Sequence, residues 1–342
     1  MEKKSQKKAL GVVIRGVAMG AADVVPGVSG GTIAFITGIY EELLESISGL
    51  NLGLLKTWKK DGFKAMWIKG NFSFLFALFT GIIVSIMSLA VLIQFLLKAY
   101  PIQLWAFFFG LIIASVWLVG KTVKKWSAMP IIGLILGAIA AYFITIMAPT
   151  QESSNLFYIF ISGSIAICAM ILPGISGSFI LLLLGAYTTV LGAVSGMMST
   201  LKSGEWDLFF NHSTIIGVFI AGCLVGLISF SKLLNWLFKK VPDVTVAILT
   251  GFLIGSLNKI WPWKETITFF TKHVGEANQE QVPLVQNNVS PELFSELIQK
   301  SNIENGTNLS TENHFLISII LALAGIAFII LLDYFGNRKK TA

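Results

Sequence analysis

The sequence predicts an all-α integral membrane protein with an inverted repeat. Each half reads as a re-entrant, Pro-Gly-broken helical hairpin followed by three transmembrane helices. Three observations predict this. The 342 residues are 55% hydrophobic and only 13% charged, with a mean hydropathy of +0.78, whereas soluble domains are about 25% charged. Two segments, around Pro26-Gly27 and Pro173-Gly174, repeat each other in register. The lysines and arginines cluster in alternate inter-helix segments, as the positive-inside rule requires of a multi-pass chain. The composition excludes a disordered chain, a nucleic-acid-binding domain and an ordinary cytosolic enzyme.

The elements follow in chain order. Met1–Lys8 is basic, and the apolar run after it breaks at Arg15, too early for a cleavable signal peptide. Gly11–Ile47 is apolar but interrupted at Pro26-Gly27. Phe72–Leu97, Ile102–Val119 and Pro130–Ala148 are uninterrupted apolar spans, which complete a first repeat over residues 1–148. The second repeat, 149–342, opens with the interrupted region Leu156–Thr200 and continues with Thr214–Phe230, Val244–Ile260 and Phe315–Leu332. Each span has 17 or more residues, enough to cross a hydrocarbon core of about 30 Å at about 1.5 Å per residue. The segment 259–313 is polar and is expected outside, with Pro291–Lys300 as a short surface helix capped by Ser290.

The repeat is more than a shared tripeptide. Val25-Pro26-Gly27-Val28-Ser29-Gly30-Gly31 parallels Leu172-Pro173-Gly174-Ile175-Ser176-Gly177-Ser178 at an offset of 147 residues. Gly16 matches Gly163, Gly38-Ile39-Tyr40 matches Gly185-Ala186-Tyr187, and Ser48-Gly49 matches Ser195-Gly196, all without a gap. A hairpin that enters and leaves on one side adds no net crossing. Three spans then set the second copy on the opposite side, the inverted architecture of many secondary transporters. The basic residues divide 19 to 6 between the two sides this topology defines, which places both termini in the cytoplasm. Two full spans joined by a kinked turn remain the alternative to each re-entrant hairpin.

The hairpin tips carry the candidate chemistry. Pro26-Gly27 and Pro173-Gly174 stop one helix; Ser29-Gly30-Gly31-Thr32 and Ser176-Gly177-Ser178 open the next. A helix start offers unpaired N–H groups and partial positive charge, and glycines let an anion approach the backbone. Ser29, Thr32, Ser176 and Ser178 add hydroxyl donors. The competing reading is close helix packing, which suits the small-residue pairs Gly133/Gly137, Gly222/Gly226 and Gly251/Gly255. Arg15 is either a snorkelling cation or a fork for an anionic head group. Asp23, near the end of a short intramembrane helix, needs a donor or a proton. Asp23 and, at the cytoplasmic edge, Glu41 are the proton-coupling candidates. Structural capping and a solvated charged face are their respective alternatives. The second repeat has no charge at the matching positions.

Cys168 and Cys223 lie in apolar runs and the three histidines lie outside them, so neither a disulfide framework, a metal site nor a cofactor is expected. A lipid phosphatase would need basic and histidine partners at the membrane edge, which the spans lack. Gly120-Lys121-Thr122 resembles the end of a phosphate loop, but Ser115 stands where its first glycine belongs.

The stretch Arg15-Gly16-Val17-Ala18-Met19-Gly20-Ala21-Ala22-Asp23-Val24-Val25-Pro26-Gly27-Val28-Ser29-Gly30-Gly31-Thr32 resembles the signature of the bacterial polyprenyl-phosphate transporters, the PopT family. Pro173-Gly174-Ile175-Ser176-Gly177-Ser178 resembles that family's second hairpin. The resemblance implies a multi-pass protein of the bacterial cytoplasmic membrane, not an enzyme. It would return undecaprenyl phosphate from the outer to the inner leaflet for reuse in wall synthesis. The phosphate is expected at Arg15, Pro26, Gly27, Ser29, Gly30, Gly31, Thr32, Pro173, Gly174, Ser176, Gly177 and Ser178, with the polyprenyl tail left in lipid. No nucleic acid is expected, and the oligomeric state is open. The alternative is a secondary transporter or channel for a small anion.

Overall fold

The computed structural model describes residues 2–23, 29–147, 150, 153, 155–272, 280–305 and 310–338. The first half comprises α1 (Glu2–Asp23), α2 (Gly30–Ile36), α3 (Tyr40–Ser48), α4 (Leu52–Lys69), α5 (Phe72–Ala99), α6 (Pro101–Gly120) and α7 (Ala128–Ile146). The second comprises α8 (Leu156–Ile171), α9 (Gly177–Leu183), α10 (Tyr187–Ser203), α11 (Trp206–Lys240) and α12 (Pro242–Ser256). It continues with β1 (Lys264–Lys272), β2 (Glu280–Asn288), α13 (Pro291–Asn305) and α14 (Phe315–Arg338). The chain is thus a largely helical membrane protein: α5, α6, α7 and α11 are long and apolar enough to span, and α8, α12 and α14 carry shorter apolar stretches.

The helix breaks recur at the spacing of the sequence repeat. α2 and α9 begin at Gly30 and Gly177 and end at Ile36 and Leu183, and α3 and α10 begin at Tyr40 and Tyr187. Between them Gly38 and Gly185 hold φ of +70° and +63°, a left-handed conformation that a residue with a Cβ adopts at a cost. In the second half this turn bends the chain by 107°. Helix partners recur too: α1 packs on α5 and α8 on α11, while α6 packs on α14 and α12 on α7.

Glycine makes these helix pairs close. A Cβ on Gly16 would meet the carbonyl of Leu78, one on Gly81 that of Val13, and one on Gly222 that of Phe160. Gly137 and Gly251 bring α7 and α12 together against the carbonyls of Ile248 and Leu134. Lipid tails are as apolar as leucine, so close van der Waals packing rather than water exclusion favours such pairs. The glycine pairs singled out in the sequence therefore do pack, while the outward faces of α5 and α7 expose Phe76, Met87, Val91, Leu136 and Phe143.

Several elements differ from the sequence reading. The helix that enters the interrupted region Gly11–Ile47 begins well before Gly11, because α1 runs through the basic N-terminal stretch. The span expected over Val244–Ile260 is helical only to Ser256; Lys259 and Ile260 turn back onto Ser256 and Leu257. Pro262 bars a helix from continuing through Trp261, since proline breaks the helix and disfavours helical geometry in the residue before it. The lysines after the first hairpin lie on α4, which is broken at Gly62. The polar segment contains an antiparallel hairpin of β1 and β2. Its expected helix is present as α13, where Ser290 Oγ accepts the Leu293 N–H at 3.2 Å.

Gly251→Leu is expected to force α7 and α12 apart and to destabilise the protein by about 1–3 kcal/mol. A lowered melting temperature in detergent, against little change for Gly217→Leu, whose Cβ would meet open space, checks this.

Candidate functional site

The two hairpins meet where their helices break. Pro26 and Gly27, named among the site residues, lie outside the described residues; the first tip is therefore seen from Asp23 on one side and Ser29 on the other. Ser29 is the N-cap of α2: its Oγ accepts the Gly31 N–H at 3.1 Å. The same hydroxyl has its proton directed to the second hairpin, at 3.1 Å from the Met170 carbonyl and 3.2 Å from that of Leu172. Thr32 Oγ1 accepts the Gly174 N–H at 2.9 Å, and the Tyr40 hydroxyl donates to the Ile171 carbonyl at 3.1 Å. Ser29 and Thr32 are 1% and 0% exposed, so these bonds stand in place of any to water.

Physical necessity explains this pattern. Where α8 ends at Ile171, its last carbonyls have no partner along the helix. In a membrane interior each such group costs several kcal/mol unless protein satisfies it. The first hairpin supplies the donors. Gly31 lets the two backbones touch: a Cβ there would meet the Ile171 carbonyl. On its other side Gly174 lies against Phe252 and Ser256 of α12.

Asp23 finds the donor it needs on the far side of the helix break that follows it. Its Oδ1 accepts the Gly30 N–H at 2.6 Å. A carboxylate therefore occupies the start of α2, where backbone N–H groups and the helix dipole favour an anion. The second tip is built differently. Ser176 is the N-cap of α9 but makes no side-chain cap bond. Its Oγ lies 3.0 Å from Ser178 Oγ, and Ser178 is exposed.

Two predicted residues are not brought to this junction by any bond. Arg15 donates from Nη1 to the carbonyl of Gly11, its own helix, at 3.3 Å. Glu41 lies exposed at the start of α3, beside a small cleft that Glu45, Asn235 and Lys239 also line. There Lys239 Nζ stands 3.3 Å from Glu45 Oε1. Tyr40 is a further residue of this junction, and the Gly-x-Tyr repeated after each tip is its signal in the sequence. Beside the junction, a shallow groove of about 310 Å³ runs between α7 and α12, lined by Ile139, Tyr142, Phe143, Ile254 and Asn258 among others.

Apolar helices long enough to span, packed on glycine around two helix breaks that bond to each other, define a multi-pass membrane protein. Residues 19–278 match the family described as VCA0040-like, undecaprenyl phosphate translocase-like, and the chain belongs to that family. It is 46% identical over 329 residues to a polyprenyl-phosphate transporter of Vibrio cholerae serotype O1, covering 96% of this chain and 97% of the relative. It is 33% identical over 262 residues to a polyprenyl-phosphate transporter of Staphylococcus aureus, covering 73% and 85%. No solved structure matches. The family resemblance carried by the Arg15–Thr32 stretch is thereby borne out.

Ser29→Ala removes both a cap and the donor to the second hairpin and is expected to cost about 2 kcal/mol, read as a fall in melting temperature. Asp23→Asn, whose amide oxygen still accepts from Gly30, is expected to be milder than Asp23→Leu, which leaves that N–H without its partner.

Proposed function

We propose that the protein carries a polyprenyl phosphate, with undecaprenyl phosphate as the natural species, from the outer to the inner leaflet of the bacterial cytoplasmic membrane. The names of the two relatives and of the family support the substrate class and a transporter rather than an enzyme. The recurrence of helix bounds at 147-residue spacing and the reciprocal helix pairing support an inverted repeat with halves 1–148 and 149–342. The 19-to-6 division of basic residues supports two cytoplasmic termini and an even number of crossings.

The observation that carries the mechanism is the Asp23 carboxylate on the Gly30 N–H. The start of α2 already holds an anion, one belonging to the protein. A substrate phosphate reaching this tip competes with that carboxylate for the same donor. Protonation of Asp23 weakens its hold on Gly30 and favours the exchange, which links phosphate entry to proton uptake. Gly31, Thr32 and the Pro173–Ser178 tip form the remaining wall, with Ser176 and Ser178 as the hydroxyls not committed to the partner hairpin. The open apolar groove between α7 and α12 suits an isoprenoid chain, whose burial needs no polar partner.

In liposomes, the purified protein is expected to equilibrate undecaprenyl phosphate between leaflets, and Ser176→Phe to slow this at least tenfold while the protein stays folded. Equal rates, or transport of inorganic phosphate alone, reject the reading; the latter result favours the small-anion alternative. Asp23→Asn is expected to abolish the response of transport to an imposed pH gradient, and an unchanged response rejects the exchange.

A further inference from the structure

Two lysines beyond the end of α12 form a cluster that the hairpin junction does not use. They bracket the sequence Lys259-Ile260-Trp261-Pro262-Trp263-Lys264. Both are partly buried. The turn after Ser256 brings them together: Lys264 Nζ donates to the carbonyl of Lys259 at 2.6 Å. Lys264 Nζ lies 3.9 Å from the ring centre of Trp105, at the start of α6, and Lys259 Nζ lies 4.3 Å from that of Phe179. Phe179 directly follows Ser178 on α9, the helix whose start has no side-chain cap.

Among the described residues, no carboxylate stands within 4.0 Å of either ammonium. Glu265 follows Lys264 in β1, so its side chain leaves from the opposite face. Burial, and then the charge of Lys259, hold the Lys264 pKa well below the usual lysine range. Two lysine amines drawn out of water and packed on aromatic faces without a counter-charge form an incomplete arrangement, in which the charged form is disfavoured until an anion arrives. Cation–π contact offsets part of the cost, and a doubly charged anion supplies the rest.

We propose that the Lys259 and Lys264 ammonium groups, packed against Phe179 and Trp105, bind a phosphate monoester. That chemistry is shared by a polyprenyl-phosphate head group and free phosphate. The choice of the lipid as natural ligand rests on the transport reading above. In that reading the pair receives the head group on the external side and passes it to the second hairpin tip.

The test uses the full chain in detergent, followed by tryptophan fluorescence, with farnesyl phosphate, farnesol and inorganic phosphate as probes. Wild type is expected to bind farnesyl phosphate more tightly than farnesol. Lys259→Gln combined with Lys264→Gln is expected to weaken farnesyl phosphate at least tenfold (about 1.4 kcal/mol) and to leave farnesol unchanged. Lys264→Arg is expected to stay within a few-fold of wild type. If the double variant does not melt cooperatively, Lys259→Gln alone gives the same comparison, because its ammonium makes no hydrogen bond among the described residues. Unchanged farnesyl phosphate binding, an equal loss for farnesol, or no binding of any phosphate by wild type overturns the site. Equal wild-type affinity for inorganic and farnesyl phosphate, both lost in the variant, supports the anion site and contradicts the lipid reading.

Discussion

The structure depends on satisfying the backbone where the second hairpin breaks. α8 stops at Ile171 among apolar helices, and its last carbonyls must find donors inside the protein. They find them in the first hairpin: Ser29 reaches Met170 and Leu172, Tyr40 reaches Ile171, and Thr32 takes the Gly174 N–H in return. Neither tip is complete without the other. Each remaining feature of the centre serves that contact: Gly31 because a side chain would strike Ile171, and Gly38 and Gly185 because the chain must turn sharply behind each tip.

The two tips are bonded asymmetrically although the helices that follow them begin at matching positions. The first is closed by Ser29 and by the Asp23 carboxylate. The second has a serine pair, one member exposed, and no side-chain cap. This difference follows from sequence at matching positions: Asp23 in the first repeat corresponds to Met170 in the second.

Much of this was legible in the sequence. The repeat register, the Ser29 cap, the α13 helix and the packing role of the paired glycines all followed from local rules of spacing and capping. What escaped was decided by contacts distant in the chain. Ser29 and Thr32 read as free donors for a ligand, because nothing local says that Met170, Leu172 and Gly174 lie opposite. Asp23 needed a donor, yet the donor seven residues on lies across the break, where helical periodicity no longer applies. The early end of α12 was signalled by Pro262 and masked by the apolar Leu257 and Ile260. The β1–β2 hairpin was signalled by the β-branched and aromatic run Thr266–Thr271 and masked by the polar residues around it, and its register is irregular between Thr266 and Phe269.

The central claim is that a lipid phosphate is handled at the paired hairpin tips. Photocrosslinking with a polyprenyl phosphate that carries a diazirine next to its head group tests this most directly. The account predicts adducts within 29–32 and 173–178, suppressed by undecaprenyl phosphate and not by undecaprenol. Adducts confined to the lipid-facing residues of α5 and α7, or equal suppression by both lipids, would contradict it.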